Sequence, residues 1–240
     1  MRVSLYILLT LAVLIVAAIT RMPASIAVNQ ILQRVNLPGD VTIRYTKGTI
    51  WEGQTQLTFR TFPNMTLRWD IDVLRSLSPL PIEIEVVSTA SRLTGLVQFD
   101  TEAISISDLS FSLASNDINQ LAETYGHRLE SDIHGRDIGG VIERTCIRAL
   151  SGQVDWSGGL LSIDTGSSVI GVQTPAFDGE LSTKDCGAIV SFRAAEQTSA
   201  TATLTLDQTG WLKATISPTL VSLVTSQPAS GPMQFEAKIR

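Results

Sequence analysis

The sequence predicts an all-β protein: an N-terminal transmembrane helix, then an antiparallel β-sandwich or curved β-sheet with one or two short helices. Three observations predict this class. Many short runs alternate apolar and polar residues, Ser, Thr, Val, Ile and Leu are abundant, and Gly, Pro or Asp separates most runs. Alternation with period two and β-branched side chains are typical of half-buried antiparallel strands, and regular turn signals between short strands favour a sandwich or curved sheet.

The chain starts with an apolar segment that has no charged side chain between Arg2 and Arg21. As a helix, the 17 residues from Val3 to Ile19 would span roughly 26 Å, slightly less than the ~30 Å hydrocarbon core of a bilayer. We therefore expect residues 1–20 to be a transmembrane anchor. A cleaved signal peptide is the alternative, with the small residues from Val16 to Ala18 as its cleavage site.

Apolar residues then recur at helical spacing in PASIAVNQILQRV, before LPGD ends the pattern. This spacing predicts a membrane-proximal amphipathic helix and a linker over residues 21–40. The β-rich domain takes residues 41–240. Within it, 41–115 and 150–240 can form two similar halves.

The middle of the chain is less regular. In AISISDLSFSL the apolar phase slips between Ile106 and Leu109, which predicts a β-bulge or a bend. NDINQLAETYG predicts a short helix with Asn116 as its N-cap and Gly126 at its end. The segment IHGRDIGG that follows predicts a loop between the two halves.

Tryptophan and glycine recur together in KGTIWEG and again in LSGQVDWSGGLL. These two segments can be equivalent strands of the two halves. We expect Trp51, Trp69 and Trp156 to be structural residues in the sheet core, with glycines that make room for an indole on a neighbouring strand. A tryptophan that stacks on a ligand or binds a partner is the second interpretation.

Cys146 and Cys186 are the two cysteines, and neither has a His or Cys at metal-ligand spacing beside it. An isolated pair behind a membrane-targeting segment predicts a disulfide in an oxidising compartment. Two buried free thiols are the alternative. If the disulfide forms, the bulk of the chain lies outside the cytoplasm.

Several classes of function lack their sequence signals. The net charge is −5 with no basic block, which argues against nucleic-acid binding. His127 and His134 are not at the spacing of a helical metal pair. Asp164 starts an Asp-Thr-Gly tripeptide, but an aspartic protease needs a second such carboxylate. We therefore expect a protein that is not an enzyme and has no cofactor, metal or small-molecule substrate.

Four segments together resemble the type II secretion system protein N family, also known as general secretion pathway protein N. They are the anchor running into TRMPASIA, then GTIWEGQTQL, then LRWDI, and finally CIRALSGQVDWSGGLL. Their order and spacing follow the family across nearly the whole chain. The resemblance implies a single-pass inner-membrane protein of a Gram-negative bacterium with a β-rich periplasmic domain, and it brings no catalytic residues.

The function that this resemblance implies is participation in the export of folded proteins across the outer membrane. The partners would be other type II secretion proteins, contacted through protein–protein surfaces. A periplasmic module that binds lipids or other hydrophobes is the alternative, and it rests on architecture alone. An envelope hydrolase has only the Asp-Thr-Gly tripeptide in its favour.

Overall fold

The computed structural model describes residues 2–26, 28–29, 41–72, 81–144, 146–164, 166, 168–194, 199–225 and 231–238. The predicted amphipathic helix and linker at 21–40 lie largely outside these residues. The described part shows a helical turn at 24–26, where Ala24 is buried. The prediction for 21–40 as a whole stays a prediction.

Helix α1 (Arg2–Thr20) forms where the uncharged segment predicts a helix. Its apolar side chains are widely exposed, from Ile7 at 65% to Ile19 at 44%. By length and hydropathy, however, no helix among the described residues meets the requirement for crossing a membrane. The predicted helix is therefore present, and its predicted transmembrane character is not confirmed.

The fold is dominated by one antiparallel sheet of 13 strands, β1–β2–β3–β4–β5–β6–β8–β9–β12–β13–β14–β15–β16. Its strands follow one another in space almost as they do in sequence. They are β1 (Val41–Gly48), β2 (Glu52–Phe59), β3 (Met65–Ile71), β4 (Pro81–Val87), β5 (Arg92–Phe99), β6 (Ala103–Leu113), β8 (Ile133–Glu143), β9 (Cys146–Trp156), β12 (Phe177–Lys184), β13 (Gly187–Ala194), β14 (Ala202–Leu206), β15 (Trp211–Ile216) and β16 (Met233–Lys238).

The remaining strands form a small second sheet in the order β11–β10–β7. These strands are β7 (Arg128–Leu129), β10 (Gly159–Asp164) and β11 (Val169–Thr174). Helix α2 (Ser115–Ala122) and a 3₁₀ turn (Glu123–Tyr125) lead into it, and helix α3 (Pro218–Thr225) lies between β15 and β16. The prediction of a large antiparallel sheet with few helices is confirmed.

The large sheet is continuous, and its strands do not divide into the two facing sheets of a sandwich. Residues 41–115 and 150–240 contribute strands to the same hydrogen-bonded sheet, so the similarity of two halves stays a prediction. The two tryptophan segments are not equivalent strands. GTIW spans the end of β1 and the turn after it, whereas GQVDW lies inside β9.

The segment IHGRDIGG is a strand rather than the predicted loop. It forms most of β8, which pairs with β6 on one side and β9 on the other. Its glycines interrupt the alternation of apolar and polar side chains that predicts a strand. In the sheet, a side chain from the neighbouring strand occupies the space beside such a glycine. A Cβ on Gly135 would collide with the ring of Phe111 on β6.

Two local predictions are confirmed. The register of β6 shifts between Ile106 and Leu109, where Asp108 has a φ of 51°. The short helical segment ends at Gly126, which takes the left-handed conformation with a φ of 73°. The predicted N-cap, Asn116, is wrong by two positions, because Ala114 is the N-cap of α2 and its side chain makes no capping hydrogen bond.

Few hydrophobic side chains are deeply buried among the described residues. Those that are buried are mostly small: Ala24, Ala114, Ile138, Val172, Phe177, Ala194 and Val221. The described residues therefore do not enclose one large hydrophobic core.

Candidate interaction surfaces

One face of the large sheet carries an unbroken row of paired residues, which we call the apolar row. Each member is the direct cross-strand partner of the next, and partners lie on the same face. From β3 to β16 every member is hydrophobic or glycine. The apolar row is Thr46, Thr55, Leu67, Val86, Leu93, Phe111, Gly135, Val154, Gly179, Phe192, Ala202, Ile216 and Met233.

Most hydrophobic side chains of the apolar row are half-buried rather than buried. Met233, at its far end on β16, is 40% exposed. The face is therefore neither fully covered by a second layer nor fully open.

Glycines on this face accommodate bulky partners on the next strand. Gly179 pairs directly with Phe192, and a Cβ on the glycine would fall 2.8 Å from that ring. Gly53 pairs with Trp69 in the same way, and a Cβ there would collide with the indole. The glycine that follows Trp51 in KGTIWEG therefore makes room for a different tryptophan, Trp69.

Trp51 lies in the turn between β1 and β2, not in a strand. Its indole Nε1 donates a hydrogen bond to the carbonyl oxygen of Ile19 at 3.0 Å. The backbone N–H of Ile50 donates to the carbonyl of Met22, and Pro23 forms an isolated bridge with Thr49. The side chain of Trp51 thus ties the end of α1 to the β1–β2 hairpin.

The other two predicted structural tryptophans lie within the sheet. Trp69 is half-buried on β3, and its Nε1 donates to the carbonyl of Ile50 at 3.2 Å. Trp156 ends β9 and stacks on Phe177, with ring centroids 5.7 Å apart and planes 10° from parallel. Its buried Nε1 has no hydrogen-bond partner among the described residues.

The predicted disulfide is confirmed. Cys146 and Cys186 are bonded, with their Cα atoms 4.5 Å apart. Cys146 starts β9, and Cys186 lies in the two-residue turn between β12 and β13. The backbone N–H of Ile147 also donates to the carbonyl of Cys186 at 3.2 Å. The bond therefore joins two hairpin turns at one end of the sheet.

The opposite face of the sheet is charged. On it the Arg68 Nη1 lies 2.9 Å from Glu85 Oε2, and the Arg92 Nη2 lies 2.6 Å from Glu85 Oε1. The hydrogen bond from Arg68 is the largest influence on Glu85 and lowers its pKa. Burial works in the opposite direction, and Arg92 adds to the lowering. A shallow depression of about 780 Å³ lies over this cluster and extends to Lys47 and Asp70.

Asp117 on α2 is the one large side chain that is completely buried among the described residues. Its Oδ2 accepts hydrogen bonds from the Ser91 Oγ at 2.7 Å, the Ser91 backbone N–H at 3.0 Å and the Ala90 N–H at 3.2 Å. The Ser88 Oγ donates to the same oxygen. Asp117 thereby fastens α2 to the β4–β5 turn.

Burial is the largest single influence on Asp117 and raises its pKa. The hydrogen bonds from Ser88, Ser91 and Ala90 together outweigh burial, so that its pKa lies below the usual value. Oδ1 has no hydrogen-bond partner among the described residues. Sequence reasoning misses this residue, because nothing in the local pattern links an aspartate on α2 to a turn 26 residues earlier.

Asp164 ends β10 in an exposed position. Its Oδ1 accepts a hydrogen bond from the Gly166 backbone N–H at 2.7 Å, as expected of an aspartate in a turn. Its own backbone N–H donates to the Nδ1 of His127 at 3.3 Å. Within the described part of the chain, no group of three His, Cys, Asp or Glu side chains is placed to hold a metal ion.

The described features are those of an extended sheet with two unlike faces, one half-buried and apolar and the other charged. Comparisons of this chain with protein-family models, with curated proteins and with solved structures found no match.

Proposed function

We propose that this chain is a non-enzymatic component of the type II secretion apparatus. It acts in the export of folded proteins across the outer membrane by contacting other secretion proteins. The observation that carries the proposal is the edge strand β16, all six residues of which are exposed, including the hydrophobic Met233 and Phe235. An edge strand offers unpaired backbone groups and is a natural docking site for another protein.

Three further features support the proposal. The four motif segments and their order resemble the type II secretion protein N family. The Cys146–Cys186 disulfide suits an oxidising compartment such as the periplasm. The exposed apolar surface of α1 suits attachment to the inner membrane, because exposed apolar patches of this kind mark membrane or protein contacts.

Site-specific photocrosslinking in intact cells tests this function. A photoreactive residue is placed in turn at exposed positions on the two faces and the two edges of the sheet, for example at Gln56, Tyr45 and Arg136. We expect capture of secretion-apparatus proteins from a cluster of neighbouring positions. A matched position on α1, such as Tyr6, serves as the control for nonspecific membrane neighbours.

Two results would contradict the proposal. One is capture of unrelated envelope proteins alone. The other is normal secretion by a strain that lacks the chain, combined with no secretion component captured at any position.

The half-buried apolar row favours a second candidate, a periplasmic module that binds lipids or other hydrophobes. A row of hydrophobic residues and glycines that runs across the large sheet offers a surface for an acyl chain. Native mass spectrometry of the chain after release from detergent distinguishes the two functions. A co-purifying lipid of constant mass, lost when Phe192 on the apolar row is changed to Asp, would favour this candidate.

A further inference from the structure

Strand β11 is an open edge of the small sheet, since among the described residues it pairs with β10 alone. Two of its side chains are exposed hydrophobics, Val169 at 67% and Ile170 at 39%. The strand contains no charged residue and no proline, and its register with β10 runs through six pairs without a shift. It therefore lacks the charges, prolines and bulges that commonly protect an edge strand from pairing.

The hydrogen bonds of Leu129 on β7 show which backbone groups of β11 point outward. The Leu129 N–H donates to the Oδ1 of Asn119, and its carbonyl accepts from the Asn119 Nδ2, both at 2.8 Å. Both backbone groups of Leu129 thus point away from β10, so that Leu129 and Leu161 form a non-bonded pair. Because bonded and non-bonded pairs alternate along a ladder, the backbone groups of Leu161 and Ile163 point to β11.

The β11 partners of these two residues are Val172 and Ile170, whose N–H and C=O groups are therefore used within the small sheet. The alternate residues Val169, Gly171 and Gln173 point their N–H and C=O groups away from β10. They form an outward-facing hydrogen-bonding edge.

The opposite edge of the small sheet is closed by side chains. The amide of Asn119 covers the backbone of β7. On either side of the short pairing with β7, the Leu160 N–H donates to the Oε2 of Glu130 at 3.0 Å, and the Asp164 N–H donates to the Nδ1 of His127 at 3.3 Å. No such side chain covers the outer groups of β11 within the described part of the chain.

We propose that β11 pairs with the β11 of a second copy of this chain, in an antiparallel two-fold arrangement centred on Ile170. In this register Ile170 lies opposite its own counterpart. Val169 lies opposite Gly171 of the second copy, and by symmetry this contact occurs twice. The overlap runs from Ser168 to Val172 in both copies, and all of these residues belong to the described part of the chain.

This register covers both exposed hydrophobic side chains of the edge. The two Ile170 side chains form a non-bonded pair, which is the closer kind of antiparallel contact. Val169 lies beside a glycine of the other copy, as Phe192 lies beside Gly179 in the large sheet. The bonded pairs use the outward groups of Val169 and Gly171, and each of these pairs exchanges two hydrogen bonds.

A second copy suits this edge because the resulting assembly is closed. Two three-stranded sheets joined at β11 form one sheet in the order β7–β10–β11–β11–β10–β7. Both outer edges of that sheet are then the capped edge at β7. An interface of this kind is self-complementary and ends at two subunits. The uncharged strand also brings no like charges together. This inference rests on the small sheet and does not depend on the proposed function.

Cysteine crosslinking of the full-length chain in detergent tests the register. We expect Ile170→Cys to form an intermolecular disulfide under mild oxidation, because non-bonded antiparallel partners have Cα atoms about 4.5 Å apart. Val169→Cys and Gly171→Cys are matched controls on the same edge. Neither should crosslink, because each lies two positions along the strand from its own counterpart, with Cα atoms roughly 8–9 Å apart. A non-reducing gel detects the product.

A proline variant tests whether backbone hydrogen bonds hold the pair. The mass of the full-length chain in detergent is measured by analytical ultracentrifugation up to about 200 µM, because we expect so small an interface to have a Kd of roughly 1–100 µM. Val169→Pro removes an outward N–H but keeps the ladder with β10, since proline is tolerated as the first residue of a strand. We expect it to weaken self-association by about tenfold or more.

Val169→Thr is the control, because threonine keeps both the N–H and the branched shape, and it should weaken self-association by less than about threefold. Circular dichroism checks that each variant keeps the fold. The proposal is overturned by a wild-type chain that stays monomeric over the whole concentration range, or by a Val169→Pro chain that associates as tightly as the wild type. Crosslinking of Val169→Cys or Gly171→Cys as strong as that of Ile170→Cys also overturns it, because that result excludes the register.

Discussion

Asp117 shows how one buried carboxylate can organise a junction between elements. Its single oxygen Oδ2 accepts four hydrogen bonds from the β4–β5 turn. Hydrogen bonds to a charged acceptor stabilise a fold more than neutral ones. The helix α2, which leads the chain out of the large sheet, is held to that sheet through this carboxylate.

We expect Asp117→Asn to lower the free energy of unfolding by about 2–4 kcal/mol, because it removes a charged acceptor and leaves buried donors poorly matched. Urea unfolding measures the loss. The neighbouring exposed residue provides the control, and Asn116→Ala should change stability by less than about 0.5 kcal/mol.

The loss of stability in Asp117→Asn should depend on pH. The pKa of Asp117 is lowered in the folded chain, so its carboxylate contributes stability above its unfolded pKa of about 3.9. That contribution is lost as the pH falls from about 4 through the folded pKa. The stability difference between the wild type and Asp117→Asn should therefore shrink in this acidic range, and a difference that grows there would contradict the assignment.

Gly53 has no side chain, and the indole of Trp69 occupies the space that a side chain would take. We expect Gly53→Val to displace that indole from its hydrogen bond to Ile50 and to cost roughly 1–3 kcal/mol of stability. Thermal unfolding followed by tryptophan fluorescence measures both effects. Gln56→Val, at an exposed position of the same strand, should leave them unchanged.

Among the elements, the hairpin turns at one end of the sheet are joined covalently. Asp185 and Cys186 form a two-residue turn in which both residues have positive φ, at 51° and 62°. This is the turn geometry that matches the natural twist of a hairpin. The disulfide to Cys146 then fixes the β12–β13 turn to the start of β9.

Replacement of both cysteines by serine should lower the melting temperature by about 8 °C under oxidising conditions. The estimate takes about 4 kcal/mol for closing a loop of this length and the usual entropy of unfolding for a chain of this size. Differential scanning calorimetry with and without reductant checks it. In the presence of reductant, the wild type and the variant should melt together, and a remaining difference would point to lost packing instead.

The elements also show what can be predicted from the sequence. The strand pattern, the bulge in β6 and the disulfide follow from local periodicity and from cysteine count, which are properties of short segments. Local periodicity does not predict that the strands form a single continuous sheet, because a half-buried strand shows the same alternation in a sandwich and in one large sheet. β8 is not predicted as a strand because Gly135 has no side chain to continue the apolar pattern. The ring of Phe111, on the neighbouring strand, lies in the space that such a side chain would occupy. The position of Trp51 in a turn could not be predicted from local sequence either, because its hydrogen bond to Ile19 joins distant parts of the chain.

At the scale of the whole molecule, two exposed surfaces stand out: the sheet and the apolar helix α1. A helix that is apolar all round is normally buried in protein or lipid. Among the described residues, the bonds between this part of the chain and the sheet lie at the end of α1, where Trp51 and Ile50 bond to Ile19 and Met22. The exposed length of α1 is therefore available for membrane attachment.

We expect removal of residues 2–20 to release the chain from the membrane fraction. The truncated chain is directed to the periplasm by a cleavable signal peptide, so that its disulfide can still form and be verified on a non-reducing gel. Fractionation after alkaline carbonate extraction measures the outcome. If the truncated, correctly oxidised chain stays with the membrane, attachment through α1 is wrong and another surface binds the bilayer or a membrane protein.

The near-sequential order of the large sheet has a consequence for how the chain acquires its structure. From β1 to β6 each strand pairs with the one synthesised just before it, and the same holds from β12 to β16. Contacts between neighbours in sequence form quickly, since little loop entropy opposes them. A chain synthesised from its N-terminus can therefore add most strands to the edge of the sheet in the order in which they are synthesised. Among the described strands, β16 would be the last to join, and it forms one edge of the large sheet.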